Sequence, residues 1–250
     1  MLSITAKGFM CVAFGMVLST SAQGAVLTID FDSLPAMINS PGTSVPLANQ
    51  LSDQFLSTLG VSFSSQSNFV AVVNHSSPPG CGFPSGCPTT SPPNIIGGVK
   101  ADGTLSYGTP ITISFFDPSN PSVDGVTDFV SIRGDMVPQP GATATMEAFD
   151  ALGRSLGTVT AFDSALGLTL SISALGIHSV VLTQNSANPF YDGTIGLDDL
   201  QFNSVQFSAV PEPATLLLLG ANLLGLIWFR KRGLISQNRA GSSLPAWTPR

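Results

Sequence analysis

Residues 111–116 read Ile-Thr-Ile-Ser-Phe-Phe, and residues 168–173 read Leu-Thr-Leu-Ser-Ile-Ser. Every second residue is apolar, so Ile111, Ile113 and Phe115 share one side of an extended chain, as do Leu168, Leu170 and Ile172. Period two marks half-buried strands; an amphipathic helix would space its apolar residues by three and four. The same alternation recurs outward from these two stretches, over 26–31, 60–65, 69–73, 128–133, 142–149, 155–162, 179–184 and 196–202. Gly, Pro, Asn, Asp and Ser separate the bursts, as turns require. Ten short strands predict an all-β fold of two packed antiparallel sheets, a β-sandwich. More than seven strands and long early loops favour a jelly-roll-like arrangement over an immunoglobulin-like one. Residues 49–59 predict one short helix.

Composition agrees with a folded, loop-rich chain. Of its 250 residues 43% are apolar, too many for a disordered polymer, and 10% are charged, against about 25% in a typical soluble domain. Residues 25–210 hold three basic and 14 acidic side chains, which argues against nucleic acid as a partner.

The two ends read as addresses. Residues 1–24 carry Lys7, an apolar run from Gly8 to Leu18 and a small-residue stretch ending Ala22-Gln23-Gly24, the order of a secretory signal peptide cleaved before Ala25. Signal peptidase and the secretion machinery are therefore expected partners. Cys11 leaves with the leader. At the other end, Val210-Pro211-Glu212-Pro213 precedes 16 residues without a charge, Ala214 to Phe229, and then Arg230-Lys231-Arg232. As a helix that stretch spans roughly 24 Å, and counted from Val210 roughly 30 Å, enough to cross a membrane. Pro213 suits a first helical position and Glu212 the positive end of the helix. The basic triplet stops transfer, which places residues 25–209 outside as an ectodomain, 210–232 in the membrane signal and 233–250 as a basic cytoplasmic tail.

Pro-Glu-Pro, one hydrophobic helix and an Arg-rich stop resemble the PEP-CTERM sorting signal of exported bacterial proteins. The resemblance covers residues 210–232. It implies that a membrane-embedded exosortase recognises Pro211, Glu212 and Pro213, cuts there and passes the protein to the cell surface or the extracellular matrix. It also implies company with exopolysaccharide production. Most chains with this signal stop soon after the basic cluster, whereas this one continues for 18 residues. A permanent single-span anchor is the alternative.

Cys81 and Cys87 lie in a Pro-, Ser- and Gly-rich insertion, 75–98, with five residues between them. In an exported chain they predict a disulfide-closed loop contributing roughly 2 kcal/mol. Zinc would need two more soft ligands, and only His75 is near.

Gly153-Arg154-Ser155-Leu156-Gly157 matches a hydrolase nucleophile elbow, but that motif needs a strand before and a helix after the serine. Here the flanks alternate on both sides, so Ser155 is expected in a turn or strand, in a hairpin that resembles one common in PEP-CTERM jelly rolls. His75 and His178 are isolated, and one glutamate, Glu147, lies between residue 25 and the sorting tail.

Asp30 and Asp32 flank Phe31 at the end of the first strand, and Asp198 and Asp199 interrupt the last. If the chain ends pair, four carboxylates converge, a repulsive arrangement unless a cation such as calcium neutralises them. The FD and I/L-DD-L-x-F patterns resemble the metal-bearing strands of carbohydrate-binding-type jelly rolls. The alternative is that these aspartates face solvent or cap turns. The expected function is a non-catalytic surface or matrix protein that binds polysaccharide; the alternative is an extracellular hydrolase acting on glycan or ester substrates. Residues 25–210 contain no Trp and two Tyr, so Phe is the dominant aromatic.

Overall fold

The computed structural model describes residues 24–74, 93–136, 143–162, 168–185 and 195–207. In chain order its strands are β1 Val26–Ile29, β2 Met37–Ile38, β3 Gln50–Leu51, β4 Val61–Ser64, β5 Val70–Asn74, β6 Asn94–Gly97, β7 Ile111–Asp117, β8 Asn120–Met136, β9 Thr143–Phe149, β10 Ser155–Phe162, β11 Leu168–Ile177, β12 Ser179–Asn185, β13 Ile195–Asn203 and β14 Gln206–Phe207. Alternation in sequence becomes alternation in burial. Ile111, Ile113 and Phe115 of β7 are buried, while Thr112, Ser114 and Phe116 lie half-buried on its other side. Val61 and Phe63 of β4, Ala144, Met146 and Ala148 of β9, and Val180 and Leu182 of β12 repeat the pattern.

One sheet runs β10-β9-β12-β7-β4. The other is built on β8 and β13: β11 and β14 pair with β8, β1 and β6 with β13, β5 with β6, and β2 and β3 with β5. Every registered pair is antiparallel except β2 with β5. The long β8 begins in a hairpin with β7, where Phe116 faces Asp124, and then crosses into the second sheet. The inner faces meet in one core. Phe115 of the first sheet lies 5.5 Å from Phe202 of the second, and Phe31 and Phe63 meet edge-on at 5.7 Å, a favoured geometry for aromatic rings. The expected β-sandwich is the observed architecture, with the chain's first strand paired to β13 as anticipated.

β5 and β6 behave differently from β7. Val70, Val72 and Ile96 face the main core, whereas Ala71, Val73 and Ile95 face a second cluster completed by Val45, Val99, Leu105 and Tyr107. Residues 40–49 and 98–109 therefore cover the outer side of these strands, joined to each other by the Gly42 amide on the Leu105 carbonyl (2.8 Å) and the Val45 amide on the Gly103 carbonyl (3.0 Å).

The helix expected over 49–59 is not one helix. Leu47–Asn49 forms a 3-10 turn, Gln50–Leu51 pairs with β5, and a single α-helical turn, α1, spans Leu56–Leu59. Leu51 is fully buried and reaches the core only as a strand residue. α1 stops at Gly60, whose φ of 71° and carbonyl bond to the Phe116 amide (2.7 Å) turn the chain into β4. A Cβ there would strike the Phe116 carbonyl, so glycine alone suits the position.

Among the described residues no helix is long and apolar enough to cross a membrane. Residues 1–23 of the leader, Cys81, Cys87, His75, Pro211, Glu212, Pro213, Arg230, Lys231, Arg232 and the tail all lie outside the described residues.

Candidate functional site

β1 and β13 pair over four residues, with Ile29 opposite Leu200. This seam carries polar groups at both ends. At one end are the four aspartates of the calcium expectation. β1 stops at Ile29, and Phe31, with φ of 60°, turns its ring into the core, so Asp30 and Asp32 do not continue one strand face. Asp30 Oδ1 accepts the Asp32 amide at 3.3 Å, and Asp32 Oδ1 accepts the Asn94 amide at 3.0 Å. The buried Asn94 side chain in turn donates to the carbonyls of Phe31 (3.0 Å) and Leu34 (2.9 Å), fixing the turn.

On β13 the register slips between Asp198 and Gln201, a bulge that leaves Asp199 at φ 47°. Asp198 is fully buried and its Oδ1 accepts the Asp199 amide at 2.8 Å. Asp199 Oδ2 lies 3.4 Å from Arg133 Nη1. Asp30, Asp32 and Asp198 thus accept from backbone amides, and Asp199 lies beside one guanidinium. Among the described residues no three His, Cys, Asp or Glu side chains gather at metal-holding distance.

At the other end of the seam a cleft of about 560 Å³ opens between β1, β8, β11 and the end of β13. Its walls include Asp128, Phe129, Ser173 and Asn203, with Val26 and Leu175 exposed at the rim. Asn203 is buried and its Nδ2 donates to Asp128 Oδ1 at 2.6 Å. The Thr127 hydroxyl donates to the Asn203 carbonyl at 2.9 Å and holds that residue's backbone in place. A neighbouring cavity of about 200 Å³ shares Asp128 and Leu175 and runs on past Gly176 to Ser204 and Gln206. Neither Asp128 nor Asn203 stands out in the sequence. They are 75 residues apart, and only strand pairing brings them together.

The outer face of the first sheet is a lattice of hydroxyls. Thr160, Thr145 and Thr183 are registered across β10, β9 and β12; Thr158, Glu147, Val181, Thr112 and Ser64 form the next row; Ser155, Phe149, Ser179, Ser114 and Ser62 the third. Thr145 and Thr160 share a hydrogen bond at 3.0 Å. These rows carry one ionisable group, Glu147.

Ser155 is the first residue of β10, immediately after a turn closed by Asp150. Asp150 Oδ1 accepts the amides of Leu152 and Arg154 (2.9 Å each), Oδ2 accepts Arg154 Nε at 2.7 Å, and Gly153 takes φ 74°. The strand-turn-helix setting of a nucleophile elbow is not what surrounds Ser155. The amide of Arg154, then its guanidinium, hold the Asp150 carboxyl below the usual carboxylate range. His178 packs edge-on against Phe116 at 5.8 Å, and its Nδ1 lies 3.1 Å from the Gly125 carbonyl.

The described residues define an all-β sandwich with a cleft at one end of its β1–β13 seam. A family model described as the PEP-CTERM protein-sorting motif matches residues 209–232. The chain therefore carries, at residues 209–232, a sorting motif of the kind found on exported, exosortase-processed proteins. No curated protein matches the chain. Among solved structures it is similar to a cleaved adhesin domain of Lys-gingipain, at 13% identity and a TM-score of 0.39 over 72% of this chain and 99% of that one. It is similar also to a DUF4465 family protein from Bacteroides caccae, at 12% identity and a TM-score of 0.40 over 76% and 97%. A third likeness is to a carbohydrate-binding module of a Cellvibrio mixtus lichenase in complex with cellotriose, at 13% identity and a TM-score of 0.26 over 47% and 82%. At these TM-scores none of the three bears on what the chain binds.

Proposed function

We propose that this chain is a non-catalytic matrix protein, delivered to the cell surface by its sorting signal, whose sandwich holds neutral polysaccharide. The observation that carries the reading is the sorting motif at 209–232. In this reading exosortase cuts at Pro211-Glu212-Pro213, the 214–229 helix and Arg230-Lys231-Arg232 hold the precursor in the membrane until then, and the sandwich is the cargo. The polysaccharide part draws support from the side-chain chemistry. A hydroxyl-studded sheet face with a single carboxylate offers donors and acceptors to another polyhydroxylated surface and nothing to a strong polyanion. The acidic balance of residues 25–210 points the same way, since it repels acidic glycans.

The test expresses the full chain in a host that makes an exosortase and in the same host without it. Intact-mass measurement of the exported form is expected to give a chain starting at Ala25 and ending near Pro213 only where the exosortase is present. Affinity electrophoresis through dextran, galactomannan and hydroxyethylcellulose gels is expected to retard that form. An uncut tail in both hosts would favour a permanent anchor. Loss of gel viscosity on incubation would make the protein a hydrolase and overturn the non-catalytic reading.

A further inference from the structure

We propose that the cleft at the Asn203 end of the β1–β13 seam is a sugar subsite, taking one hexose unit of a neutral polysaccharide whose chain continues into the adjoining cavity; the inference rests on the polysaccharide reading above. Asn203 is only 7% exposed, and its Nδ2 is committed to Asp128 Oδ1. Among the described residues nothing donates to Asn203 Oδ1 or to Asp128 Oδ2. A buried carbonyl oxygen without a donor costs free energy, and native proteins rarely leave one so unless a ligand or water completes it. The two oxygens belong to side chains locked together by a 2.6 Å bond, so they form a pre-set pair of acceptors and call for two neighbouring donors.

The rest of the wall narrows the ligand. Phe129, Val26 and Leu175 present apolar surface beside that acceptor pair, and Ser173 adds a hydroxyl. A molecule that offers adjacent hydroxyl donors along one edge and C–H surface on its face fits both; a pyranose ring has that character. One face of the ring can lie against the Phe129 side chain, as amphipathic ligands do in apolar pockets with a few placed polar groups. The volume of about 560 Å³ exceeds what one small molecule needs for shelter, and the neighbouring cavity of about 200 Å³ begins at the same Asp128 and Leu175. Two connected spaces sharing a wall suit consecutive units of a polymer. Gly24 lines the cleft and departs if the leader is cut before Ala25, while the Ala25 carbonyl stays held by the Ser204 amide at 2.9 Å. Export would therefore widen the cleft without loosening its wall.

The test compares the exported protein with its Asp128→Asn, Leu175→Glu and Thr160→Val variants by affinity electrophoresis in the same three polysaccharides. Asp128→Asn swaps an acceptor for a donor at the locked pair and is expected to weaken retardation about tenfold, the loss of one charge-assisted hydrogen bond. Leu175 is 80% exposed, so Leu175→Glu leaves folding alone and blocks the rim; it is expected to weaken retardation as well. Thr160→Val, on the hydroxyl face that the polysaccharide reading also invokes, is expected to weaken retardation less than either cleft variant. If the wild-type protein is retarded by none of the three polymers, the polysaccharide reading itself falls. If it is retarded and both cleft variants match it, or Thr160→Val alone abolishes binding, the reading stands and the cleft assignment is overturned.

Discussion

On the outer side of one sheet Thr145, Thr160 and Thr183 stand in a row at the surface; on the outer side of the other, Ala71, Val73 and Ile95 lie under a second layer of loop. Both arrangements come from strands packed on the same core. The difference lies in what the chain does with the residues between the core positions. In β7, β9 and β12 those positions are mostly Thr and Ser, half-buried and without a covering layer of loop. In β5 and β6 they are aliphatic, and the chain uses 40–49 and 98–109 to cover them. Strands that read as unbroken apolar runs are strands buried on both sides. The loop layer over β5 and β6 reaches only part of the second sheet, and the cleft opens where β1, β8 and β11 are left without it.

The largest effect expected from this comparison is in the core that both sheets share. Phe115 is fully buried and touches Phe202 across the layers, so Phe115→Ala is expected to cost about 3–5 kcal/mol in urea denaturation. Combining it with Ile95→Ala in the covered cluster is expected to be additive to within about 0.5 kcal/mol, because the two sites share no cluster. Strong coupling would mean that the loop layer and the main core unfold through common contacts, and the distinction between covered and uncovered strands would lose its energetic meaning.

Period two made ten strands legible, and each of them exists. The misses have physical reasons. Asn94–Gly97 has no alternation to read because both of its faces are buried, and it follows a Pro-rich insertion that masks its start. Met37–Ile38, Gln50–Leu51 and Gln206–Phe207 are too short to show any period. The first half of β8, the hairpin arm that links the sheets, shows no period of two because Pro121, Asp124 and Gly125 interrupt it and its two valines, Val123 and Val126, stand three apart. Of the candidate site, the pairing of β1 with β13 was expected from the jelly-roll reading alone. The cleft was not: Asp128 and Asn203 are ordinary polar residues in strands until β8 and β13 lie side by side.

A smaller effect probes the loop layer itself. The Tyr107 hydroxyl, nearly buried, donates to Asn39 Oδ1 at 3.0 Å and helps pin residues 98–109 over β5 and β6. Burial also pushes its phenol well above the usual tyrosine range, so it stays a donor at any physiological pH. Tyr107→Phe is expected to destabilise by about 1–2 kcal/mol, because a buried acceptor loses that donor. Hydrogen exchange is expected to quicken in 98–109 before it quickens in β7. Equal quickening everywhere would mean that the layer is not a separable cover. Thr145→Val, on the hydroxyl face, is expected to stay within about 0.5 kcal/mol of the parent.

The smallest expected effect concerns the turn that sets the register of the hydroxyl face. Asp150 holds the β9–β10 turn through the Arg154 amide, the Arg154 guanidinium and the Leu152 amide, and these lower its pKa below the usual carboxylate value. A carboxyl whose folded-state pKa is depressed stabilises the fold above its unfolded pKa, about 4, and loses that contribution as pH falls through the folded value. The urea midpoint of the wild type should therefore hold steady from pH 7 to about pH 5 and decline below about pH 4. In Asp150→Asn the midpoint starts slightly lower and declines less steeply. Asp102 and Asp117, each bonded to a nearby hydroxyl and amide and depressed for that reason, keep some slope in the variant. Identical slopes in both proteins would show that the turn does not sense its own carboxylate, and that the cross-strand rows of Thr and Ser hold the hydroxyl face in register without it.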